Sequence, residues 1–234
     1  MVRPLRIYQP GLIYHVLNRG NNRQVVFVEH DDYRHYLDIL SHYKEKLDFK
    51  IFAFCLMTNH VHLLLQVSGK ASISKIMQAI TIAHTRHHHY KYQTSGHIWQ
   101  GRFKSPLVSD DEYLLATMRY IEQNPLRAKM ARHLHEYPWS SFPLNTQPQM
   151  DKLIDREQNP VYLSLGHTQQ ERMAAYKTFA LTPLDDDKVQ EVRRSLVGQS
   201  HYISERFQQQ IAEKLVRKRS RGRPRKRHDE FIHN

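Results

Sequence analysis

Ile51-Phe52-Ala53-Phe54-Cys55-Leu56-Met57-Thr58-Asn59-His60-Val61-His62-Leu63-Leu64-Leu65-Gln66-Val67 has strand composition almost throughout, with Met57-Thr58-Asn59 as its one interruption. Side chains alternate across a strand. Val61, Leu63, Leu65 and Val67 therefore share one face, which is uniformly apolar and must be core. His60, His62, Leu64 and Gln66 share the other, which can open to a site. Paired imidazoles on one strand face make half of a metal site, and they are equally compatible with packed core histidines. What supplies the other half decides between the two.

Working outward, Phe49–Leu56 and His60–Val67 read as two strands around a short turn. Upstream, Gly11–Gly20 reads as a first strand, with Ile13, His15 and Leu17 on one face and Leu12, Tyr14 and Val16 on the other. Arg19-Gly20-Asn21-Asn22-Arg23 follows as a turn. From Asp31 to Leu47 the apolar spacing becomes helical, with Tyr33, Tyr36, Leu37, Leu40 and Leu47 as the stripe and Asp31 as the expected N-cap. Ser72 or Ser74 caps a second helix running to about Tyr92, buried along Ile73, Ile76, Met77 and Ile80. Its end carries His84, Arg86, His87, His88, His89 and Lys91, read as a solvated basic terminus that complements the helix dipole.

Trp99-Gln100-Gly101-Arg102-Phe103-Lys104-Ser105-Pro106-Leu107-Val108 resembles a strand with basic residues on one side, and a further helix runs from Asp110 or Asp111 to about Asn124. The first 143 residues thus read β-α-β-β-α-β-α. This order predicts an α+β fold: a ferredoxin-like, split βαβ arrangement with a central antiparallel sheet and helices on one face. Pro138-Trp139-Ser140-Ser141-Phe142 looks like a segment that closes it. The expected organisation is a catalytic domain over 1–143, a polar, proline-punctuated linker over 144–165, a helical extension over 166–216 and a basic tail over 217–234. Helices are expected in the extension from Thr168 to Phe179, Asp185 to Ser195 and Ser204 to Arg217.

Charge supports that division. The 234 residues carry a net charge of +12, and nine bases fall within Lys214–His228, a stretch without an acid. The remainder holds 26 bases against 23 acids. A near-neutral body with a strongly cationic tail suits a polyphosphate partner. The alternative for the tail is a solubilising end. Hydrophobic residues are 40% and one cysteine is present, Cys55, so a packed core is expected and a disulfide framework or Cys-based zinc finger is excluded. The N-terminal residues show no signal peptide, and no run approaches the roughly 18 apolar residues of a membrane span.

A second chemical anchor is Tyr120. On the helix after Asp110, Leu114, Met118 and Ile121 form the core stripe, while Tyr113, Thr117, Tyr120 and Asn124 line the adjoining strip. That places a phenol at the margin of the buried face, beside an amide one turn on. A phenol has an ordinary pKa of about 10. Attack on phosphorus requires that it lose its proton and that a cation reduce the charge of the phosphodiester oxygens. Taken alone, such a tyrosine is a structural residue at the edge of a core, and Asn124-Pro125 merely ends a helix.

Leu56-Met57-Thr58-Asn59-His60-Val61-His62-Leu63-Leu64 resembles the HUH motif of single-tyrosine transposases, in which a bulky apolar residue separates two histidines. Arg119-Tyr120-Ile121-Glu122-Gln123-Asn124-Pro125-Leu126-Arg127-Ala128 is similar to the tyrosine helix of one branch, the REP-associated tyrosine transposases. Arg3-Pro4-Leu5-Arg6 with His15-Val16, Trp99–Phe103 and Trp139-Ser140-Ser141 resemble that branch too, so the likeness runs from about Arg3 to Phe142.

The resemblance implies a metal-dependent single-stranded DNA endonuclease and strand transferase, acting at REP-type hairpins without a nucleotide cofactor. Tyr120 would attack the scissile phosphate to give a 5′-phosphotyrosine. His60 and His62 would hold Mg²⁺ or Mn²⁺, with Asn124 as third ligand. Expected DNA contacts are Arg3, Arg6, Arg19, Arg23, Arg102 and Lys104, with Arg221, Arg223, Arg225, Lys226 and Arg227 in the tail. Each of these bases, taken singly, is also an ordinary solvated charge. The expected setting is the bacterial cytoplasm, associated with the nucleoid and away from membranes, as monomer or homodimer.

Two other readings compete. A non-catalytic protein that binds repeated palindromic hairpins would keep the fold and tail, yet a degenerate relative is expected to lose one of Tyr120, His60, His62 and Asn124. A His-x-His metal oxygenase would need a distal carboxylate and histidine set that this chain lacks.

Overall fold

Four antiparallel strands and two crossover helices form the frame of the computed structural model, which describes residues 8–109, 112–148, 151–198 and 203–211. β1 (Ile13–Arg19) leads through α1 (His30–Leu47) to the hairpin of β2 (Phe49–Met57) and β3 (His60–Val67). α2 (Ile73–Tyr92) then crosses to β4 (Leu107–Val108). The sheet order is β2-β3-β1-β4, and every neighbouring pair is antiparallel. β3 therefore lies between β1 and β2, which is the expected split βαβ order.

Local chemistry sets the helix ends. The cap of α1 lies two residues before the expected Asp31. It is Glu29, because the buried Asp32 carboxylate accepts the N–H groups of Val28 at 2.8 Å and Glu29 at 2.9 Å. Asp32 also accepts from Lys91 Nζ at 2.8 Å and the Tyr92 hydroxyl at 2.7 Å, joining α1 to the end of α2. These donors hold its carboxyl far below the usual carboxylate range, against the opposing effect of burial. α2 is capped by Ser72, whose hydroxyl accepts from Lys75 N. One member of the expected basic helix end behaves otherwise: His84 is buried and donates Nε2–H to the Val26 carbonyl at 3.1 Å.

The apolar face of the sheet carries Tyr14, Val16, Val61, Leu63 and Leu65, all essentially inaccessible. α1 and α2 pack on each other and cover it. The opposite face carries Ile13, Leu17, Cys55 and Leu64 and is covered by α3 (Glu112–Glu122), whose Leu114, Met118, Tyr120 and Ile121 enter the same cluster. The fourth strand is shorter than Trp99–Val108. Gly101 turns the chain at φ +62°, a conformation costly for residues with a Cβ. Only isolated pairings at Trp99–Gly20 and Lys104–Leu17 precede the regular Leu107–Val108.

Residues 144–165 are not a linker. After α5 (Phe142–Thr146), Arg156 is 3% exposed and donates to the carbonyls of Leu144 and Gln147 at 2.7 and 2.6 Å. Asp155 accepts from Ile51 N at 2.8 Å and pairs with Lys44 at 2.9 Å, which ties the segment to β2 and α1. The helices beyond are not a separate layer either. Tyr162 of α6 (Pro160–Leu163), Tyr176 and Ala180 of α7 (Gln169–Leu181), and Val189 and Val192 of α8 (Asp186–Gly198) share one core with Leu114 and Met118 of α3. A boundary at 143 would cut that core, and Met1–Tyr202 is one compact unit. Within Ile203–Asn234, the second unit, the described residues form a helix over 205–211. The basic tail, 217–234, lies outside the described residues. Among the described residues, no helix is long and apolar enough to cross a membrane.

Candidate active site

The β2–β3 hairpin turns on Thr58-Asn59, placing His60 at the first position of β3 opposite Met57. The loop after β1 grips that turn. Thr58 O accepts from Val26 N at 2.8 Å, and Asn59 O accepts from Gly20 N at 2.8 Å. Gly20 is needed for this approach, because a Cβ there would meet the Gln24 carbonyl at 2.3 Å. The Asn59 side chain joins in: Nδ2 donates to the Arg23 carbonyl at 3.2 Å and Oδ1 lies 2.6 Å from His60 Nδ1.

Strand register then assembles the imidazoles. Arg19 pairs with His60, Leu17 with His62 and His15 with Leu64, so His15 joins the histidine face as a diagonal neighbour of His62. His15 Nε2 and His62 Nδ1 are 2.9 Å apart. The His60 and His62 rings stand 5.2 Å apart at 79°. Tyr120 closes the group from α3, its ring edge-on to His15 at 5.8 Å and to His62 at 5.9 Å. Tyr120 is 4% exposed, more buried than a residue at the margin of a core.

Burial decides the charge state. It pushes the His15 imidazole down to about 3 and, with the Arg19 charge, that of His60 down to about 4. His62 is held well below the ordinary histidine value by burial first, then by His15, His60, Arg127 and Arg19. All three imidazoles are therefore neutral at pH 7, which suits ligands rather than charges. The hydrogen bonds engage Nδ1 of both β3 histidines and leave Nε2 as the nitrogen available to a cation. The donor set thus fits a divalent ion with open positions. Among the described residues no group of three or more His, Cys, Asp or Glu is placed to hold a metal ion, so a cation here would rest on the two β3 imidazoles and an oxygen donor of another kind.

Asn124 opens α4 (Asn124–Arg127) and its amide Nδ2 donates to the carbonyls of Tyr120 at 3.0 Å and Ile121 at 3.2 Å. Its donors are committed to ending α3, so only its oxygen is left to serve a cation. Two residues escaped the sequence reading. One is His15, whose side of β1 was legible from alternation but whose pairing with His62 was not. The other is Arg127, two turns after Tyr120. Its guanidinium lies 4.4 Å from the centre of the Tyr120 ring, and it donates to the Tyr120 carbonyl. Burial lowers its pKa to about 10, so it stays charged at neutral pH.

The tyrosine helix is fixed from behind. Glu122, fully buried, accepts from Ser141 Oγ at 2.6 Å, Asn145 Nδ2 at 2.9 Å and the Tyr176 hydroxyl at 2.8 Å. Gln123 donates to the Ala180 and Thr182 carbonyls at 2.8 Å each, and Arg119 lies over the Phe179 ring at 4.2 Å. Among the expected DNA-contacting bases, Arg19, Arg102 and Lys104 line one open depression of about 470 Å³ with Leu17, Asn18, Gln100 and Gly101. Arg23 is exposed beside the hairpin turn. Arg3, Arg6, Arg221, Arg223, Arg225, Lys226 and Arg227 lie outside the described residues.

The segment that carries these strands and the tyrosine helix matches a known family. The family model described as "Transposase IS200 like" matches residues 8–124, half of the chain. The chain belongs to this family of IS200-like tyrosine transposases. A Haemophilus influenzae (strain Rd) relative named a REP-associated tyrosine transposase is 31% identical in an alignment of 109 residues that covers 42% of this chain. The match spans 61% of that relative's length. A solved structure of a REP-associated tyrosine transposase bound to a REP hairpin aligns with a TM-score of 0.53 and 20% identity, over 62% of this chain and 85% of that one. That likeness shows the fold.

Proposed function

We propose that the protein cleaves and rejoins single-stranded DNA at REP-type hairpins, with Tyr120 as nucleophile. The observation that carries this reading is the packing of the Tyr120 ring against His15 and His62, with Arg127 over its face, within one chain. In the reaction the phenol loses its proton and its oxygen attacks the scissile phosphorus. The bond to the 3′ oxygen breaks, leaving a 5′-phosphotyrosine and a 3′-hydroxyl. Attack by a 3′-hydroxyl on that ester reverses the step and joins strands.

A divalent ion, Mg²⁺ or Mn²⁺, held by His60 and His62 with the Asn124 amide oxygen, would polarise the phosphate. His60 and His62 bring lone pairs rather than charge. Arg127 and Arg19 add positive potential beside the site, favouring a phosphodiester over a neutral substrate. Arg19, Arg102 and Lys104 receive the strand that leaves it, while Arg23 and the basic tail hold flanking phosphates. The packing of Tyr120 on His15 and His62 of its own chain supports a reading in which a monomer carries the reaction. The setting this implies is the cytoplasm, at the DNA.

Incubation with a labelled single-stranded hairpin and Mn²⁺ or Mg²⁺, followed by a denaturing gel, should show a covalent adduct. Absence of an adduct with either metal, alongside tight hairpin binding, would favour the non-catalytic binding reading instead.

A further inference from the structure

The two β3 histidines use their Nδ1 atoms differently. His60 Nδ1 faces Asn59 Oδ1 at 2.6 Å, and the Asn59 amide is oriented by Nδ2 donating to the Arg23 carbonyl. An amide oxygen only accepts, so His60 carries its proton on Nδ1 and keeps Nε2 bare. His62 Nδ1 faces a second imidazole, His15 Nε2, at 2.9 Å. Between two neutral imidazoles one nitrogen donates and the other accepts, and two arrangements satisfy that bond. If His15 donates, His62 holds its proton on Nε2 and cannot ligate. If His62 donates, its Nε2 is bare, matching His60, and His15 holds its own proton on Nδ1.

We propose that His15 is the acceptor of this pair, a positioning residue that fixes His62 as the Nδ1–H tautomer and presents its Nε2 to a divalent cation. This deepens the phosphodiester reading above and rests on it. Three observations favour it. Asn59 imposes the same tautomer on His60, so the two ligands become equivalent only in this arrangement. His15 is 1% exposed and stands 5.1 Å from His62 at a 36° tilt, and no water is needed to complete the bond. β1 also holds it rigidly, with His15 N donating to the Pro106 carbonyl at 3.0 Å. Metal-bound histidines generally donate their second ring N–H to a fixed acceptor, and losing that acceptor weakens metal binding about 10–100-fold.

The test uses the full chain with Mn²⁺ alone, titrated by electron paramagnetic resonance of the free ion, with circular dichroism melting as a control of folding. His15→Phe should weaken Mn²⁺ by about 10–100-fold. His15→Gln, which restores a side-chain acceptor, should recover most of that loss. Nitrogen-15 spectra of the wild-type imidazoles should show His62 protonated on Nδ1, an assignment that stands even where His15→Phe fails to fold. His62 protonated on Nε2, unchanged Mn²⁺ affinity in a folded His15→Phe, or equal losses in the Phe and Gln variants would each overturn the role of His15 alone. If the wild type binds no Mn²⁺ and forms no adduct, the underlying cation reading fails and takes this one with it.

Discussion

The two faces of the sheet are built from the same strands and treated in opposite ways. Tyr14, Val16, Val61, Leu63 and Leu65 meet α1 and α2 as an apolar layer, and their removal from water stabilises the fold. One residue along, His15 and His62 meet Tyr120 of α3 with His60 beside His62, and here imidazoles are buried at a cost to their charged forms. A protein selected for stability alone would fill both faces alike. The three imidazoles lie on the face over which Tyr120 and Arg127 lie, and the face of Tyr14 and Val16 carries Asn18 as a buried polar side chain but no histidine. One face thus anchors the sheet, and the other spends stability on a preorganised site.

The sharpest way to break this contrast is Tyr120→Phe. Adduct formation should fall to background, while the unfolding free energy changes by less than about 1 kcal/mol, since the ring contacts with His15, His62 and Arg127 remain. Surviving adduct would remove Tyr120 as nucleophile. The mirror experiment is Leu63→Ala on the apolar face. Leu63 is completely buried, and the truncation should cost about 2–5 kcal/mol in urea unfolding with adduct yield per folded molecule unchanged. A chemical defect out of proportion to the unfolded fraction would show that the faces are not separable.

Much of that contrast is legible in the sequence, because a strand alternates with period two and Val61-His62-Leu63-Leu64-Leu65 leaves no second way to face the core. The split βαβ order, the Tyr120 helix and the His60–His62 pair follow from the same kind of periodicity. What depends on register across strands does not: His15 becomes a site residue only when Leu17 pairs with His62. Arg127 likewise needs the chain to continue helically past Pro125 before it can reach back over Tyr120. The expected linker at 144–165 was misread because its short helices and prolines resemble a loop, whereas Arg156, Asp155 and Asn159 tie it down with specific hydrogen bonds. The expected strand at Trp99–Val108 fails at Gly101 and Pro106, residues that a pattern of alternating bases hides.

Glu122 offers a subtler test of how the site face is held. Burial raises its carboxyl to about 7, only partly offset by the Ser141, Asn145 and Tyr176 donors. A folded-state pKa above the unfolded value means that the folded protein binds more protons between about 4.5 and 7. This group's contribution to stability is therefore full at the acid end and lost as pH rises through 7. Glu122→Gln cannot ionise, so its melting temperature relative to wild type should rise between pH 5.5 and 8. The buried histidines favour higher pH in both proteins and cancel in that difference. A flat difference would mean that Glu122 does not titrate in this range and serves only as a fixed partner for α5 and α7.

The smallest expected effect lies at the rim. Arg102 is exposed on the turn made by Gly101, and it lines both the depression shared with Arg19 and Lys104 and the neighbouring one beside Met77 of α2. A base that contacts one phosphate adds little to affinity at physiological salt but contributes about one unit to the slope of log K against log salt. Arg102→Ala should lower that slope for a single-stranded hairpin by about 1 and leave the melting temperature alone. Arg34 is the matched control, an exposed base on α1 that pairs with Asp31 at 2.7 Å. Arg34→Ala should leave the slope where it was. Equal losses in the two variants would mean that the hairpin responds to net charge rather than to the site face, and the depression would lose its claim to the strand leaving Tyr120.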